Sequence, residues 1–341
     1  MKFEHTTLGQ RVLFGTGEAV ASLAAEVERL GARRVMLVGD EAIAAEVAAK
    51  IDVAARCTDV APHVPVANAE RARAQAASSN ADLLVSVGGG STTGLAKAVA
   101  LTTGLPVVAV PTTYAGSEAT NVWGLTEAAR KTTGSDDRVL PVTVIYDAAL
   151  TASLPPELAI ASGCNALAHC VDSMWAPRAD PINQALAAEG IRALNSGLRQ
   201  ITTADGREQT LYGAYLSAVA FASAGSGLHH KICHVLGGAY NLPHAATHTA
   251  VLPYVLAFNS PAAPQAAARI ADALGAPDLS SLYTDIGASH VLRGVPDAAE
   301  AARLILPSVP PSNPRPVTEA DLTALLAAAQ AGRNPTEWSR A

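Results

Sequence analysis

The chain has 341 residues, a formal net charge of −6 and 49% hydrophobic residues, of which few are aromatic. This length favours two domains over one, and an acidic balance without any basic tract argues against nucleic acid as a partner. No segment approaches the roughly 18 uninterrupted apolar residues that a bilayer-crossing helix needs, so the sequence predicts no membrane span.

In the first part of the chain, up to about residue 150, short apolar runs alternate with alanine-rich helical patterns. Strands are predicted at 11–17, 33–40, 82–92 and 105–113. Helices are predicted between them at 18–30, 41–50 and 93–102. The strand segments are continuously apolar, which is typical of strands covered on both faces, so they predict a parallel α/β sheet.

After residue 153 the β-branched runs give way to helical patterns. These helices are predicted at 156–175, 181–199, 207–225, 228–239, 262–274 and 319–331. Proline-rich segments at 252–264 and 307–316 are predicted to separate helices as loops. The sequence therefore predicts an α/β domain with a parallel sheet over 1–153 and an all-α domain over 154–341.

Three consecutive glycines, Gly88, Gly89 and Gly90, stand between a predicted strand and a predicted helix, and Ser91 and Thr92 follow them. The free N–H groups and positive dipole of a helix N-terminus favour a phosphate, and glycine lets the backbone approach it closely. The spacing is not the GxGxxG pattern of the Rossmann fingerprint. An ordinary tight turn between strand and helix is the alternative.

Five of the nine histidines lie between residues 229 and 248. Such a cluster indicates metal binding, proton transfer or both. His230 and His234 are four residues apart and share one face of a predicted helix, whereas His229 points about 100° away, which favours a structural role for it. For His248 a functional and a structural role both stay open.

Five segments resemble, in order, motifs of the iron-containing alcohol dehydrogenase family, and together they span nearly the whole chain. The first two are "GGGSTTGLAK" (88–97), similar to its GGGSxxDxxK, and "VPTTYAGSEAT" (110–120), similar to its VPTTAGTGSEVT. The others are "VIYD" before "LP", "GCNALAHCVDS" (163–173) for its DALxHxxE helix, and "HHKICHVLGGAYNLPHAATH" for its HGxxHxxGxxxxxPHG segment. The resemblance implies the dinucleotide-binding α/β domain and helical domain shared with dehydroquinate synthase, with the active site in the cleft between them.

The resemblance also implies NADH or NADPH as cofactor. Its pyrophosphate is expected at Gly88, Gly89, Gly90, Ser91 and Thr92, and its adenosine and nicotinamide side at Thr112, Thr113 and Ser117. Asp40 takes the position that contacts the adenosine ribose, where a carboxylate accepts hydrogen bonds from a 2′-hydroxyl and repels a 2′-phosphate. NADH is therefore favoured, although Arg33 or Arg34 could offset this preference. A simple helix N-cap is the alternative for Asp40.

In metal-dependent members of the family, one aspartate and three histidines hold iron or zinc. The chain has the matching His169, His230 and His244, but Asn165 stands at the aspartate position, and an amide coordinates such ions less strongly than a carboxylate. Gly94 replaces the aspartate of the glycine motif. Both changes resemble the maleylacetate reductase branch, which generally works without a metal. A metal enzyme with a weakened fourth ligand is the alternative.

That branch reduces the carbon–carbon double bond of maleylacetate, a small dicarboxylate, to 3-oxoadipate during bacterial breakdown of aromatic compounds. Hydride adds to a double bond conjugated with a ketone, and protonated histidines and a cation can stabilise the enolate that forms. The implied catalytic residues are His230, His234, His169, His244 and Asn165. Tyr114 and Lys231 are the candidate substrate-binding residues.

The remaining features concern environment and assembly. Four cysteines at 57, 164, 170 and 233 lack zinc-ribbon spacing and are predicted to be reduced thiols, and the N-terminal segment lacks the apolar run of a signal peptide. A cytoplasmic protein is therefore predicted, and the resemblance implies a homodimer. The alternative functions are a metal-dependent alcohol or aldehyde reductase of the same family and a non-enzymatic nucleotide-binding module.

Overall fold

The structure is a computed structural model that describes residues 2–39, 45, 49–127 and 130–339. Two compact units make up the chain, one of Leu8–Leu154 and the other of Met1–Thr7 together with Pro155–Ala341. The first seven residues thus group with the helical unit, where His5 Nδ1 lies 2.9 Å from the carboxylate of Asp180. The sequence placed these seven residues in the α/β domain of 1–153 and not in the helical domain of 154–341. Their contact with the helical unit could not be predicted, because His5 belongs to no motif.

The N-terminal unit is built on a parallel sheet, as the apolar runs predicted. Its strands are β1 (Arg11–Phe14), β2 (Val35–Gly39), β3 (Val53–Cys57), β4 (Leu83–Gly88), β5 (Val107–Pro111) and β8 (Thr143–Tyr146), in the order β1-β8-β5-β4-β2-β3. Its helices include α1 (Ala19–Arg29), α2 (Val66–Ser78) and α3 (Gly90–Thr103). An antiparallel hairpin, β6 (Val122–Glu127) with β7 (Arg130–Ser135), is a feature that the sequence did not predict.

Residues of the central strands alternate between two apolar layers. On β2, Met36 and Val38 pack with alanines of α2 and α3, while Val35 and Leu37 pack on the opposite face with Leu23 of α1. Every residue of β2 is buried. Because both faces of the sheet are covered, its strands read as continuous apolar runs.

The strand order sets where a ligand can meet this sheet. The chain leads from β2 to the edge strand β3 and from β4 in the other direction to β5, so the carboxyl ends of β2 and β4 form a topological switch point. The three-glycine segment follows β4 at this point. Gly88 has φ of +152°, and a Cβ there would lie 2.4 Å from Thr92 Oγ1, so the close turn requires glycine.

The second unit is helical, as predicted. Its longer helices are α4 (Pro156–Ser173), α5 (Pro181–Leu198), α6 (Ala204–Ala224), α7 (Leu228–Tyr240) and α8 (His244–Asn259). They are followed by α9 (Pro264–Leu274), α10 (Ser280–Ile286), α11 (Ala298–Ile305), α12 (Glu319–Gln330) and α13 (Pro335–Trp338). Across the described part of the chain, no helix is both long enough and apolar enough to cross a membrane.

The predicted proline-rich break at 252–264 is wrong over its first half, because α8 continues through Pro253. Proline has no N–H, so the carbonyl of Thr249, four residues earlier, has no helical donor at that position. The hydroxyl of Tyr283 on α10 donates to this carbonyl at 2.8 Å. A tertiary hydrogen bond thus compensates for the lost helical one, and the histidine-bearing first turns of α8 stay continuous with its apolar end.

Candidate active site

The glycine segment packs against the segment that follows β5. The N–H of Thr112 donates to the carbonyl of Gly88 at 3.0 Å. A Cβ built on Gly89 would lie 2.9 Å from Thr113 Cγ2, and one on Gly90 would lie 3.3 Å from Ala115 Cβ. The structure therefore brings together two segments that the sequence assigned separately to cofactor binding.

The other candidate cofactor residues lie around this contact. Ser91 is half-buried in the first turn of α3, whereas Thr92 is buried with its hydroxyl turned toward Gly88. Ser117 is half-buried on the segment after β5. Asp40 lies outside the described residues, so its assignment to the ribose stays a prediction.

Lys97 on α3 is a buried residue of this region that the sequence analysis missed. Its ammonium donates to the carbonyls of Ser117, Thr120 and Val122, and so holds the segment between β5 and β6 to α3. Burial lowers the pKa of Lys97 to about 7, while the charge of Glu118 acts in the opposite direction. In the sequence, the position of this lysine between two alanines of an apolar helix could have indicated a buried charge.

In the helical unit, six histidines from three helices form one cluster: His169, His229, His230, His234, His244 and His248. The ring of His230 lies 4.8 Å from that of His169 and 4.7 Å from that of His248, measured between centroids. His234 and His244 are exposed, and the other four members are buried. All four histidines that the sequence selected as catalytic thus lie in one place.

Asp172 on α4 orients His230. Its Oδ2 accepts from the ring Nδ1 of His230 at 2.7 Å, and from the backbone N–H groups of His230 and Gly227 at 3.1 Å each. The carboxylate thereby caps the start of α7 from a neighbouring helix. A Cβ on Gly227 would lie 2.5 Å from Asp172 Oδ1, so only glycine permits this close approach.

Sequence reasoning missed Asp172, left the role of His248 open and expected a structural role for His229. Asp172 lies three residues after His169, on the same side of α4, and this spacing was the signal for it. His248 lies four residues after His244 on α8, and its Nδ1 is 3.0 Å from Nε2 of His229. His229, for which a structural role was expected, therefore belongs to the cluster through its contact with His248.

Burial sets the protonation state of the cluster. Burial, together with the charges of neighbouring histidines, lowers the pKa of His169 and of His229 to about 3. The pKa values of His230 and His248 fall well below the ordinary value for the same reasons. Burial therefore disfavours the protonated form that the sequence analysis expected for these histidines.

Asp172 responds to burial in the opposite sense. Burial raises its pKa to about 7, although the N–H donors of His230, His229 and Gly227 and the charge of Lys231 lower it. A proton shared across the 2.7 Å contact between Asp172 and His230 is therefore available near neutral pH.

The remaining candidates occupy different environments. Asn165 is buried on α4, and its Oδ1 has no hydrogen-bond partner within the described part of the chain. Lys231 is half-buried in the first turn of α7, next to His230. Tyr114 is fully buried in the N-terminal unit, where its hydroxyl bonds to Thr151 Oγ1 at 3.1 Å. A phenol in that position packs the core, and the assignment of Tyr114 to substrate binding stays a prediction.

The positions that hold iron in metal-dependent relatives do not offer a converged donor set here. Asn165 supplies a neutral amide oxygen, and His244 is exposed while His169 and His230 are buried. Among the described residues, the three histidines whose ring nitrogens all lie within 4.8 Å of one another are His229, His230 and His248. This set contains one of the three family positions. The family-position residues therefore do not fit divalent iron.

The buried histidines make a prediction about stability. Their lowered pKa values mean that they take up protons near pH 6.5 only in the unfolded chain, so the free energy of unfolding should fall as the pH drops from about 7 to 5. Asp172 opposes this trend, because its raised pKa lets the folded state keep a proton that the unfolded chain releases. His248→Gln should flatten the dependence by about one proton, roughly 1.4 kcal/mol per pH unit.

Urea unfolding across this pH range measures the effect. The matched control is His290→Gln, a substitution of the same kind outside the cluster. Equal slopes for His248→Gln and the wild type would show that His248 is not held neutral by the fold.

Comparisons with known proteins agree with this geometry. Residues 9–148 match the family model for iron-containing alcohol dehydrogenase, and residues 159–330 match the model for the C-terminal part of the Fe-containing alcohol dehydrogenase family. A maleylacetate reductase of Sphingobium indicum is 44% identical over 350 aligned positions, which cover 98% of this chain and 99% of the relative.

Two solved structures extend the comparison. An iron-containing alcohol dehydrogenase of Corynebacterium glutamicum is 57% identical with a TM-score of 0.96, covering 99% of both chains. A maleylacetate reductase of a Rhizobium species is 38% identical with a TM-score of 0.93, covering 98% of this chain and 99% of that one. The chain therefore belongs to the iron-containing alcohol dehydrogenase family, a family of oxidoreductases, and its resemblance to the maleylacetate reductases extends along nearly its whole length.

Proposed function

We propose that this protein is a maleylacetate reductase, which uses NADH or NADPH to reduce the carbon–carbon double bond of maleylacetate to 3-oxoadipate. The observation that carries the proposal is the buried imidazole cluster with an amide at position 165, in a chain 44% identical to a maleylacetate reductase. Such a site can orient and protonate an enone without supplying the charged donor set of an alcohol dehydrogenase.

The reaction needs one hydride and one proton. The hydride of the nicotinamide adds to the alkene carbon distal to the ketone, and the electron pair of the double bond moves to the ketone oxygen as an enolate. A proton then reaches the carbon next to the ketone, and the carbonyl re-forms. We assign this proton to the pair of His230 and Asp172, which shares one extra proton near neutral pH. Nε2 of His230 gives the proton to the substrate while Nδ1 stays hydrogen-bonded to the carboxylate, and the pair is left without the extra proton. His169, His234 and His244 surround the donor and supply hydrogen bonds.

The cofactor is assigned to the N-terminal unit. The start of α3 has no side-chain cap, so its free N–H groups and positive dipole are available to a pyrophosphate at the switch point of the sheet. Thr112, Thr113 and Ser117 provide hydroxyls on the adjoining segment. NADH is the proposed partner in preference to NADPH, on the ground of a carboxylate at Asp40.

We propose that the reaction does not require a metal ion. A reductase acting on an alkene conjugated with a ketone has no alkoxide to stabilise, and a hydrogen-bond donor can stabilise the enolate. The substrate carries two carboxylates, and Lys231, half-buried in the first turn of α7, provides a positive charge to attract them.

The proposed setting is a cytoplasmic homodimer, as the family resemblance implies. All four cysteines are buried free thiols, which suits a reducing compartment.

An iron-dependent alcohol or aldehyde reductase is the second candidate, and the 57% identity to a protein named iron-containing alcohol dehydrogenase favours it. One assay separates the two candidates. Purified protein should oxidise NADH with maleylacetate, form an equal amount of 3-oxoadipate, prefer NADH over NADPH, and keep its rate in EDTA. A rate lost in EDTA and restored by iron would contradict the metal-free proposal, and turnover of simple aldehydes alone would favour the second candidate.

Gly89→Val tests the cofactor site. The added side chain meets Thr113, so the two segments must separate and the N–H groups at the start of α3 must shift. NADH affinity measured by calorimetry should fall by at least about tenfold. Gly9→Val is the matched control, because a Cβ there has no atom within 4 Å. Unchanged NADH affinity in a folded Gly89→Val protein would remove the glycine segment from the cofactor site.

Asp172→Asn tests the proton donor. The amide keeps the size of the side chain but removes the charge that favours a protonated His230. We expect kcat to fall by about 10²-fold or more, with little change in KM for NADH, and the alkaline limb of the kcat profile to move to lower pH. Asp205→Asn, at an exposed position on α6, is the control. A kcat within about threefold of wild type and an unmoved profile would exclude this role for Asp172.

A further inference from the structure

Three buried histidines of the cluster converge more closely than the family's own metal positions do. His229, His230 and His248 each place a ring nitrogen within 4.8 Å of the others, and their exposed fractions are 0%, 2% and 0%. His229 and His248 stand outside the positions that the family resemblance matched to metal ligands. Their convergence is therefore a property of this chain's tertiary structure and not of the family motif.

These rings keep lone pairs without partners. His229 Nε2 and His248 Nδ1 are 3.0 Å apart and share one hydrogen. Among the described residues, the outer nitrogens, Nδ1 of His229 and Nε2 of His248, have no hydrogen-bond partner. In either tautomer one of these two outer nitrogens carries an unshared lone pair. The third ring behaves alike, because Nδ1 of His230 is held by Asp172 and its Nε2 has no partner within the described part of the chain.

The chemistry of this set selects a class of ligand. Neutral imidazoles bind zinc, cobalt, nickel and copper ions well and bind magnesium or calcium poorly. A carboxylate that holds the far nitrogen of a ligating histidine fixes the ring and raises its basicity, and Asp172 makes that contact with His230 at 2.7 Å. Burial keeps the three rings unprotonated, which is the form that a metal ion requires.

We propose that His229, His230 and His248 bind one divalent transition-metal ion of the zinc class, and that its binding inhibits the enzyme. Binding breaks the hydrogen bond between His229 and His248, so that each ring keeps one N–H and offers one lone pair to the ion. The ion also takes the Nε2 lone pair of His230, so that this nitrogen can no longer carry a proton to the substrate. The inhibitory effect rests on the proposed function, whereas the metal site itself does not. The ion is therefore an inhibitor at a site displaced from the family's metal position.

The binding experiment uses Co²⁺ as a spectroscopic probe and Zn²⁺ as its competitor. Metal-free wild-type protein should bind one Co²⁺ per chain, with visible absorption bands that Zn²⁺ abolishes. His248→Gln and His229→Gln should each weaken the affinity by more than the roughly 10–100-fold that loss of an outer partner costs. His244→Gln changes an exposed histidine at a family ligand position, and it should keep the wild-type affinity. A large loss in His244→Gln with none in His248→Gln would overturn the proposal.

A second measurement covers the case in which a buried substitution prevents folding. Zinc-edge anomalous scattering from crystals of the wild-type protein grown with Zn²⁺ should place the ion between His229, His230 and His248. An ion bound by Asn165, His169 and His244, or no binding below about 1 mM, would overturn the site. Maleylacetate reduction should fall with the same Zn²⁺ concentration dependence as cobalt displacement. Binding at this site without loss of activity would overturn the inhibitory role alone.

Discussion

The carboxylate of Asp172 is the contact on which the candidate active site depends. It is fully buried, and its Oδ2 accepts from two backbone N–H groups at the start of α7 and from the ring of His230, while its Oδ1 has no hydrogen-bond partner within the described part of the chain. Leaving a buried charge without partners costs about 3–5 kcal/mol, so the chain cannot relax this arrangement cheaply. The same three hydrogen bonds therefore position α7 against α4 and select which nitrogen of His230 faces the cluster.

A buried charge has a comparable role in the N-terminal unit. Lys97 is enclosed by backbone carbonyls of the segment after β5, which carries Ser117, and the glycine segment packs on the other end of that segment. In each unit a buried ionisable side chain thus holds backbone groups that lie outside regular hydrogen-bond ladders: Lys97 holds carbonyls, and Asp172 holds N–H groups. Both groups also have pKa values shifted toward neutrality by burial, Asp172 upward and Lys97 downward, because a low-dielectric interior disfavours the charged form.

The proposed metal-free chemistry would take place on a scaffold that binds a metal ion in other members of the family. An amide at position 165 removes the charged ligand, and the remaining histidines divide into a buried group and an exposed pair, His234 and His244. Burial disfavours the charged form of these imidazoles, even beside the carboxylate of Asp172, so they can donate and accept hydrogen bonds without repelling one another. Neutral imidazoles also keep lone pairs that a zinc-class ion can bind. The proposed inhibition of the enzyme by such ions follows from this.

The sequence by itself determined the fold class, the glycine segment, the family and the four histidines of the motif positions, because apolar periodicity and motif spacing are local properties. The tertiary structure alone decided the pairing of Asp172 with His230, the contact between His229 and His248, and the passage of α8 through Pro253. These contacts join residues 19 to 58 positions apart. Their partners are selected by burial and by the need to satisfy polar groups, and neither condition can be evaluated until the helices are packed.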